Sequence, residues 1–230
     1  MKISILTLFP NMFDGFKNES IIKRAIEKGK VEIEIINFRD YSNLNNNQVD
    51  DTPYGGGAGM VLMCQPIFDC IESIKTDDSV VVMMSPDGKT YNQQMAKGFL
   101  NVKHLILLCG HYEGFDERIK SIVDVIVSIG DFILTGGEIP AMAITDSIVR
   151  LIDGVINKES LVSESFEDKM LDYPVYTKPS DFRGLKVPEI LLSGDHKKID
   201  EWRKNARLEK TKNVRSDLWG MDESSIYKEE

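Results

Sequence analysis

The sequence predicts a mostly parallel α/β domain followed by a small helical module. Short apolar, β-branched segments alternate with helical patterns as far as Gly154, and beyond it the chain turns polar and is interrupted by prolines. The size agrees: 230 residues, 42% of them apolar, can build one large domain or a medium one with a small companion.

Taken in order, Lys2 to Leu8 is a first strand, because its apolar run leads directly into Asn11-Met12-Phe13-Asp14 without the small-residue cleavage site of a signal peptide. Asn11 is the expected N-cap of a helix reaching Lys28, with Gly29 just past its end. Val31 to Phe38 alternates as a second strand, and Asn45-Asn46-Asn47 is a loop tip by composition. Helices over Gln65 to Lys75 and Tyr91 to Leu100 separate strands at Ser79 to Met84 and Lys103 to Cys109. A last strand, Asp124 to Ile129, precedes a helix over Glu138 to Asp153. The domain is bounded at 1–154, a linker covers 155–172, and a helical domain fills 173–230. Tyr173-Pro174 and Lys178-Pro179 halt any helix early in that domain. Ser193-Gly194-Asp195 opens a helix through about Lys210, on which Ile199, Trp202 and Ala206 form one apolar stripe.

The net charge of −9 hides an asymmetry. Residues 196–215 hold eight lysines and arginines against three carboxylates, a net +5, which leaves −14 on the rest. A basic helix on an acidic body suits phosphate contacts better than the average suggests. Apolar runs such as Leu105 to Cys109 fall far short of the roughly 20 residues that span a bilayer. The three cysteines lack a C-x-x-C pair, so buried thiols in a reducing cytoplasm are expected.

Three glycine-bearing loops follow predicted strands: Ser85-Pro86-Asp87-Gly88, Gly110 to Gly114, and Gly130-Asp131 continuing to Gly136-Gly137. Glycines beyond the carboxyl ends of successive strands let backbone approach a ligand, as nucleotide-type sites require. Two resemblances to known fingerprints fail. Gly88-Lys89-Thr90 imitates a P-loop tail, but Met83 stands where its first glycine belongs. Gly55-Gly56-Gly57-Ala58-Gly59 ends on Met60 where a dinucleotide loop needs glycine, and follows Asp50 to Tyr54 rather than a strand, so it reads as a mobile loop over a site. The histidines, His104, His111 and His196, are scattered, which argues against hydrolytic triads and histidine-rich metal sites. Carboxylates and arginines remain, each by default a solvated charge or a local ion pair.

Long segments then carry a resemblance. Asp50 to Met60 (DDTPYGGGAGM), Cys109 to Arg118 (CGHYEGFDER), Ser128 to Pro140 (SIGDFILTGGEIP), Leu171 to Pro179 (LDYPVYTKP) and Leu191 to His196 (LLSGDH) resemble, in order, the bacterial tRNA (guanine-N1-)-methyltransferases of the SPOUT class. The resemblance implies a trefoil-knotted α/β methyltransferase domain, a homodimer, and transfer of methyl from S-adenosylmethionine to N1 of guanosine 37 in tRNA. It places the cofactor on Gly110 and Ile129, Gly130, Asp131, Phe132, Ile133 and Leu134, with Met84, Ser85, Pro86, Tyr112, Glu113, Gly114, Gly136, Gly137 and Pro140 around it. Glu164-Ser165-Phe166 stands where the family reads Asp-Ser-Phe, so Glu164 takes the catalytic carboxylate's place, and Arg150 matches the arginine near the target base. Lys197, Arg203 and Arg207 of the basic helix are the expected RNA contacts. Magnesium dependence is implied too, with no protein ligand assigned.

Overall fold

The computed structural model describes residues 1–157, 160 and 164–218. The rest of the expected linker and the end of the chain therefore lie outside the described residues. By contacts the chain forms two compact units, Met1–Ile156 and Asn157–Glu230.

The first unit is built on five parallel strands. β1 (Lys2–Thr7), β2 (Glu32–Asn37), β5 (Ser79–Thr90), β6 (His104–Leu108) and β7 (Val125–Ser128) lie in the order β2-β1-β6-β5-β7. Two further two-residue strands, β3 (Asp50–Asp51) and β4 (Val61–Leu62), form a separate antiparallel ribbon. Asp50 and Asp51 thus do sit in a strand, but one too short to launch a dinucleotide turn, and Gly55 to Gly59 lies in the loop between its arms.

Alternation along the strands builds a core on each face. Ile3 and Ile5, Leu105 and Leu107, and Val82 and Val127 pack under α2 (Ser20–Glu27), α4 (Gln93–Phe99) and α5 (Glu138–Val149). Leu6, Ile106, Leu108, Val81 and Met83 pack on the other side against α3 (Cys64–Ile74) and Ile119. Every residue of β6 is buried, because it has strands on both edges and a core on both faces.

One expected helix is broken. Instead of a single helix from Asn11 to Lys28, the chain forms a 3₁₀ turn at Pro10–Phe13, then α1 (Asp14–Asn18), then α2. Glu19 is extended and Ser20 has φ of +52°, which a continuous helix forbids. Asn11 lies inside the 3₁₀ turn and caps nothing. Gly29, at φ +65°, does stand just past the end of α2. Elsewhere Asn92 caps α4 by accepting from the Met95 amide (3.0 Å). Cys70 and Cys109 are buried and Cys64 half-buried, all three unbridged. Burial pushes the Cys70 thiol up to about 12 and that of Cys109 well above its ordinary value.

In the second unit, β8 (Asp181–Phe182) and β9 (Leu185–Lys186) form a hairpin whose two turn residues, Arg183 and Gly184, both have positive φ. A single turn, α6 (Glu189–Leu192), leads into α7 (His196–Val214), whose N-cap Asp195 accepts from the Lys198 amide (3.2 Å). Leu171 and Asp172, within the expected linker, are hydrogen-bonded to α7. The Leu171 amide donates to Thr211 Oγ1 (2.9 Å), and Lys210 Nζ donates to the Asp172 carbonyl (3.0 Å). No helix among the described residues is long and apolar enough to cross a membrane.

Candidate cofactor site

The switch in strand order falls between β1 and β6, neighbours whose chains lead off to opposite sides of the sheet. At such a point the loops beyond the carboxyl ends open a crevice for a ligand. All three glycine loops begin at this end of the sheet, after Met84, Leu108 and Ser128.

The first loop is a detour within β5. Met84 and Lys89 both register against Val127 of β7, so Ser85 to Gly88 is looped out of the ladder. A Cβ on Gly88 would run into the Val127 backbone, which is why the chain can rejoin β7 so tightly there. Gly88-Lys89-Thr90, the false P-loop tail, is accordingly strand and does not open a helix. Asp87 receives the Ser85 hydroxyl and Lys120 Nζ (2.7 Å), and these donors hold its carboxyl below the usual carboxylate range.

The second and third loops interlock. The Gly137 amide donates to the Gly110 carbonyl (2.9 Å), and a Cβ on Gly137 would fall 2.7 Å from Cys109 Cα. That approach brings the first turn of α5 against the end of β6. Tyr112 has φ of +59° and is exposed, as is Glu113. The Glu113 amide donates to the Met60 carbonyl (2.9 Å), and its side chain lies where a Cβ on Gly59 would be. The Gly55 to Gly59 loop is therefore anchored at its far end to the second loop. Ser128 Oγ receives the Gly130 amide (3.2 Å), Asp131, Phe132 and Ile133 are exposed, Leu134 is half-buried and Pro140 is buried.

Below these loops lies a contact that composition and spacing did not flag. Glu138, the first residue of α5, is 1% exposed; Thr7 Oγ1 donates to its Oε1 (2.7 Å) and His111 Nε2 lies 3.0 Å from its Oε2. From sequence it reads as one more solvated carboxylate. The available signal was its place at the start of a helix directly after two glycines, where a negative charge is favoured.

Arg150 terminates α5, its amide donating to the Asp146 carbonyl (3.1 Å). Glu164 belongs to the second unit, is half-buried, and its carbonyl accepts from the Glu167 amide (3.3 Å). The RNA candidates on α7 differ among themselves. Lys197 is exposed; Arg203 lies over the Tyr173 ring at 4.9 Å; Arg207, 15% exposed, donates to the Leu171 carbonyl (3.1 Å) and pairs with Asp168 (2.5 Å). Among the described residues, no three of His, Cys, Asp and Glu are gathered as a metal site.

Fold and loops together define a parallel α/β protein whose glycine loops gather beyond the carboxyl ends of its strands. The model of a family described as tRNA (Guanine-1)-methyltransferase TrmD matches residues 1–221. The tRNA (guanine-N(1)-)-methyltransferase of Malacoplasma penetrans (strain HF-2) is 61% identical over 219 residues, covering 95% of this chain and 97% of that one. The protein of the same name in Clostridioides difficile (strain 630) is 54% identical over 228 residues, at 95% and 97% coverage. That of Bacillus cereus (strain AH820) is 51% identical over 235 residues, at 100% and 96%. The chain belongs to the tRNA (Guanine-1)-methyltransferase family.

Proposed function

We propose that the chain transfers a methyl group from S-adenosylmethionine to N1 of guanosine 37 in tRNA. The observation that carries this reading is the interlocking of the glycine loops at the switch point, in a chain of this family. The residues fit the cofactor chemically. Gly110, Gly136 and Gly137 bring bare backbone together, Tyr112, Phe132, Ile133 and Leu134 offer apolar surface to a flat ring, and Glu113 and Asp131 offer exposed carboxylates to a sulfonium. When bound, the cofactor supplies the electrophilic methyl.

The protein's own work is proton transfer and positioning. N1 of guanine holds a proton at neutral pH and is a poor nucleophile until it leaves. Glu164 accepts that proton, while the Arg150 guanidinium stabilises the negative charge that grows towards O6. Holding the base in line with the methyl supplies the rest, so no side chain needs to act as nucleophile. Guanosine 37 lies in a single-stranded loop, where a base can be splayed out and read on its edges. Helix α7 contributes phosphate contacts through Lys197 and its other exposed cations. Magnesium remains part of the expectation, but the described residues do not gather a cage for it, and no step here runs through that ion.

The active form is a homodimer with a trefoil-knotted first domain and a helical RNA-binding second one, working in the cytoplasm.

The test is to incubate the protein with unmodified tRNA and the cofactor, then map methylated nucleosides by mass spectrometry. 1-Methylguanosine at position 37 is expected. Methylation of a ribose or of another base would replace this reading with a different RNA methyltransferase. Absence of cofactor binding by calorimetry would leave a non-catalytic RNA-binding protein.

A further inference from the structure

We infer that Glu138 is a positioning residue for the cofactor loops, acting through His111. Its carboxylate ties three chain segments together. One oxygen receives the Thr7 hydroxyl at the end of β1, and the other faces His111 Nε2 in the loop after β6, while its own backbone begins α5. Thr7 Oγ1 in turn receives the Phe9 amide (2.9 Å), and the Phe9 ring packs on the His111 ring with centroids 4.6 Å apart. The imidazole is thus fixed in position by a hydrogen bond at its edge and by the tilted Phe9 ring against it. A Cβ on Gly136 would collide with both His111 Nε2 and Glu138 Oε2, so the pair also sets the path of the third loop.

The consequence falls on the next residue. Tyr112 holds φ of +59°, a conformation that strains a non-glycine residue and persists only where its surroundings impose it. His111, tied down on one side, and Gly114, whose amide donates to the His111 carbonyl (3.1 Å), impose it here. Glu138 therefore touches no ligand but keeps Tyr112 and Glu113 aimed at one.

This inference rests on the cofactor reading of the same loops, and the experiment separates the two. Kinetics with separate titration of S-adenosylmethionine and tRNA, cofactor calorimetry and thermal melting are compared for Glu138→Ala, Glu138→Gln and His111→Leu. Glu138→Ala and His111→Leu should raise KM and Kd for the cofactor about tenfold or more, since small misplacements of positioning groups cost up to about a hundredfold. KM for tRNA should stay within about twofold of wild type. Glu138→Gln should recover most cofactor affinity, because its amide oxygen can still accept from Thr7 and its amide nitrogen can donate to the imidazole. Should Glu138→Ala fail to fold, His111→Leu, which leaves the Thr7 bond in place, decides alone. Lowered melting temperatures with cofactor constants unchanged would overturn the inference and leave Glu138 a stability element. Tyr112→Ala and Gly110→Ala serve as controls on the loops. If they weaken cofactor binding while the Glu138 and His111 variants do not, the positioning role fails and the cofactor reading survives. If no variant of either set affects binding, both fail.

Discussion

By the resemblance, a single methylene separates Glu164 from an aspartate, and the residue is half-buried in the second unit. Function at this scale is tested by exchange. Glu164→Gln keeps size and hydrogen bonding but cannot take a proton, so single-turnover methylation should fall by about 10² to 10⁴ while the cofactor still binds. Glu164→Asp should retain far more activity than the Gln variant. A Gln variant within about threefold of wild type would remove Glu164 from the mechanism. His104 offers a different single-residue test. It is 7% exposed, between Ser4 Oγ and Ser79 Oγ at 2.9 Å each, with Lys2, Glu32 and Glu34 as the charges nearby. Burial, and then the Lys2 charge, hold its pKa below the ordinary 6.5, the carboxylates opposing. The unfolded chain therefore binds the proton more readily. Stability should be whole above about pH 6.5 and decline as pH falls from there towards the lowered folded value. Denaturant titrations between pH 7.5 and 5, against His104→Gln, measure this; equal slopes in the two proteins would contradict it.

At the scale of elements, α7 is where charge and packing compete. Three cations were expected to meet phosphates, yet Arg207 is engaged by Asp168 and the Leu171 carbonyl and Arg203 by the Tyr173 ring, whereas Lys197 is exposed. Lys197→Ala should therefore reduce the slope of log K for tRNA against log salt by about one, with cofactor affinity unchanged. Arg207→Ala should instead loosen the second unit and lower its melting temperature. A Lys197 variant with an unchanged slope would move the RNA surface elsewhere. The same contrast shows how far the chain could be read in advance. All five strands of the sheet were legible, the central ones as near-continuous apolar runs and the edge strand β2 by its alternation. So were α3, α5 and the capped start of α7. The break at Glu19 and Ser20 was not, since nothing in the local periodicity announces a positive φ. The looped-out Ser85 to Gly88 could be read as a glycine turn but not as a detour that rejoins its own strand, because that depends on pairing with β7. Most cofactor candidates were placed by resemblance to long motifs. Glu138 escaped because its burial is created by Thr7 and His111, more than a hundred residues and 27 residues away in sequence.

For the whole molecule, the proposed dimer makes a prediction that no single chain can satisfy. In the dimer we propose, Arg150 of one protomer and Glu164 of the other serve the same base. Mixing Arg150→Ala chains with Glu164→Gln chains should then restore one working site in each mixed dimer, although neither variant is active alone. No recovery in dimers shown to be mixed would place both residues in one chain. The buried strand β6 bears on any such measurement. With both edges paired and both faces covered, its amides can exchange with solvent only when the entire first unit opens, whereas those of Gly110 to Gly114 need only the loop to move. The strand and the loop that leaves it thus form two clocks on one stretch of backbone. A ligand that slows the loop clock alone has ordered the site; one that slows both in step has stabilised the fold.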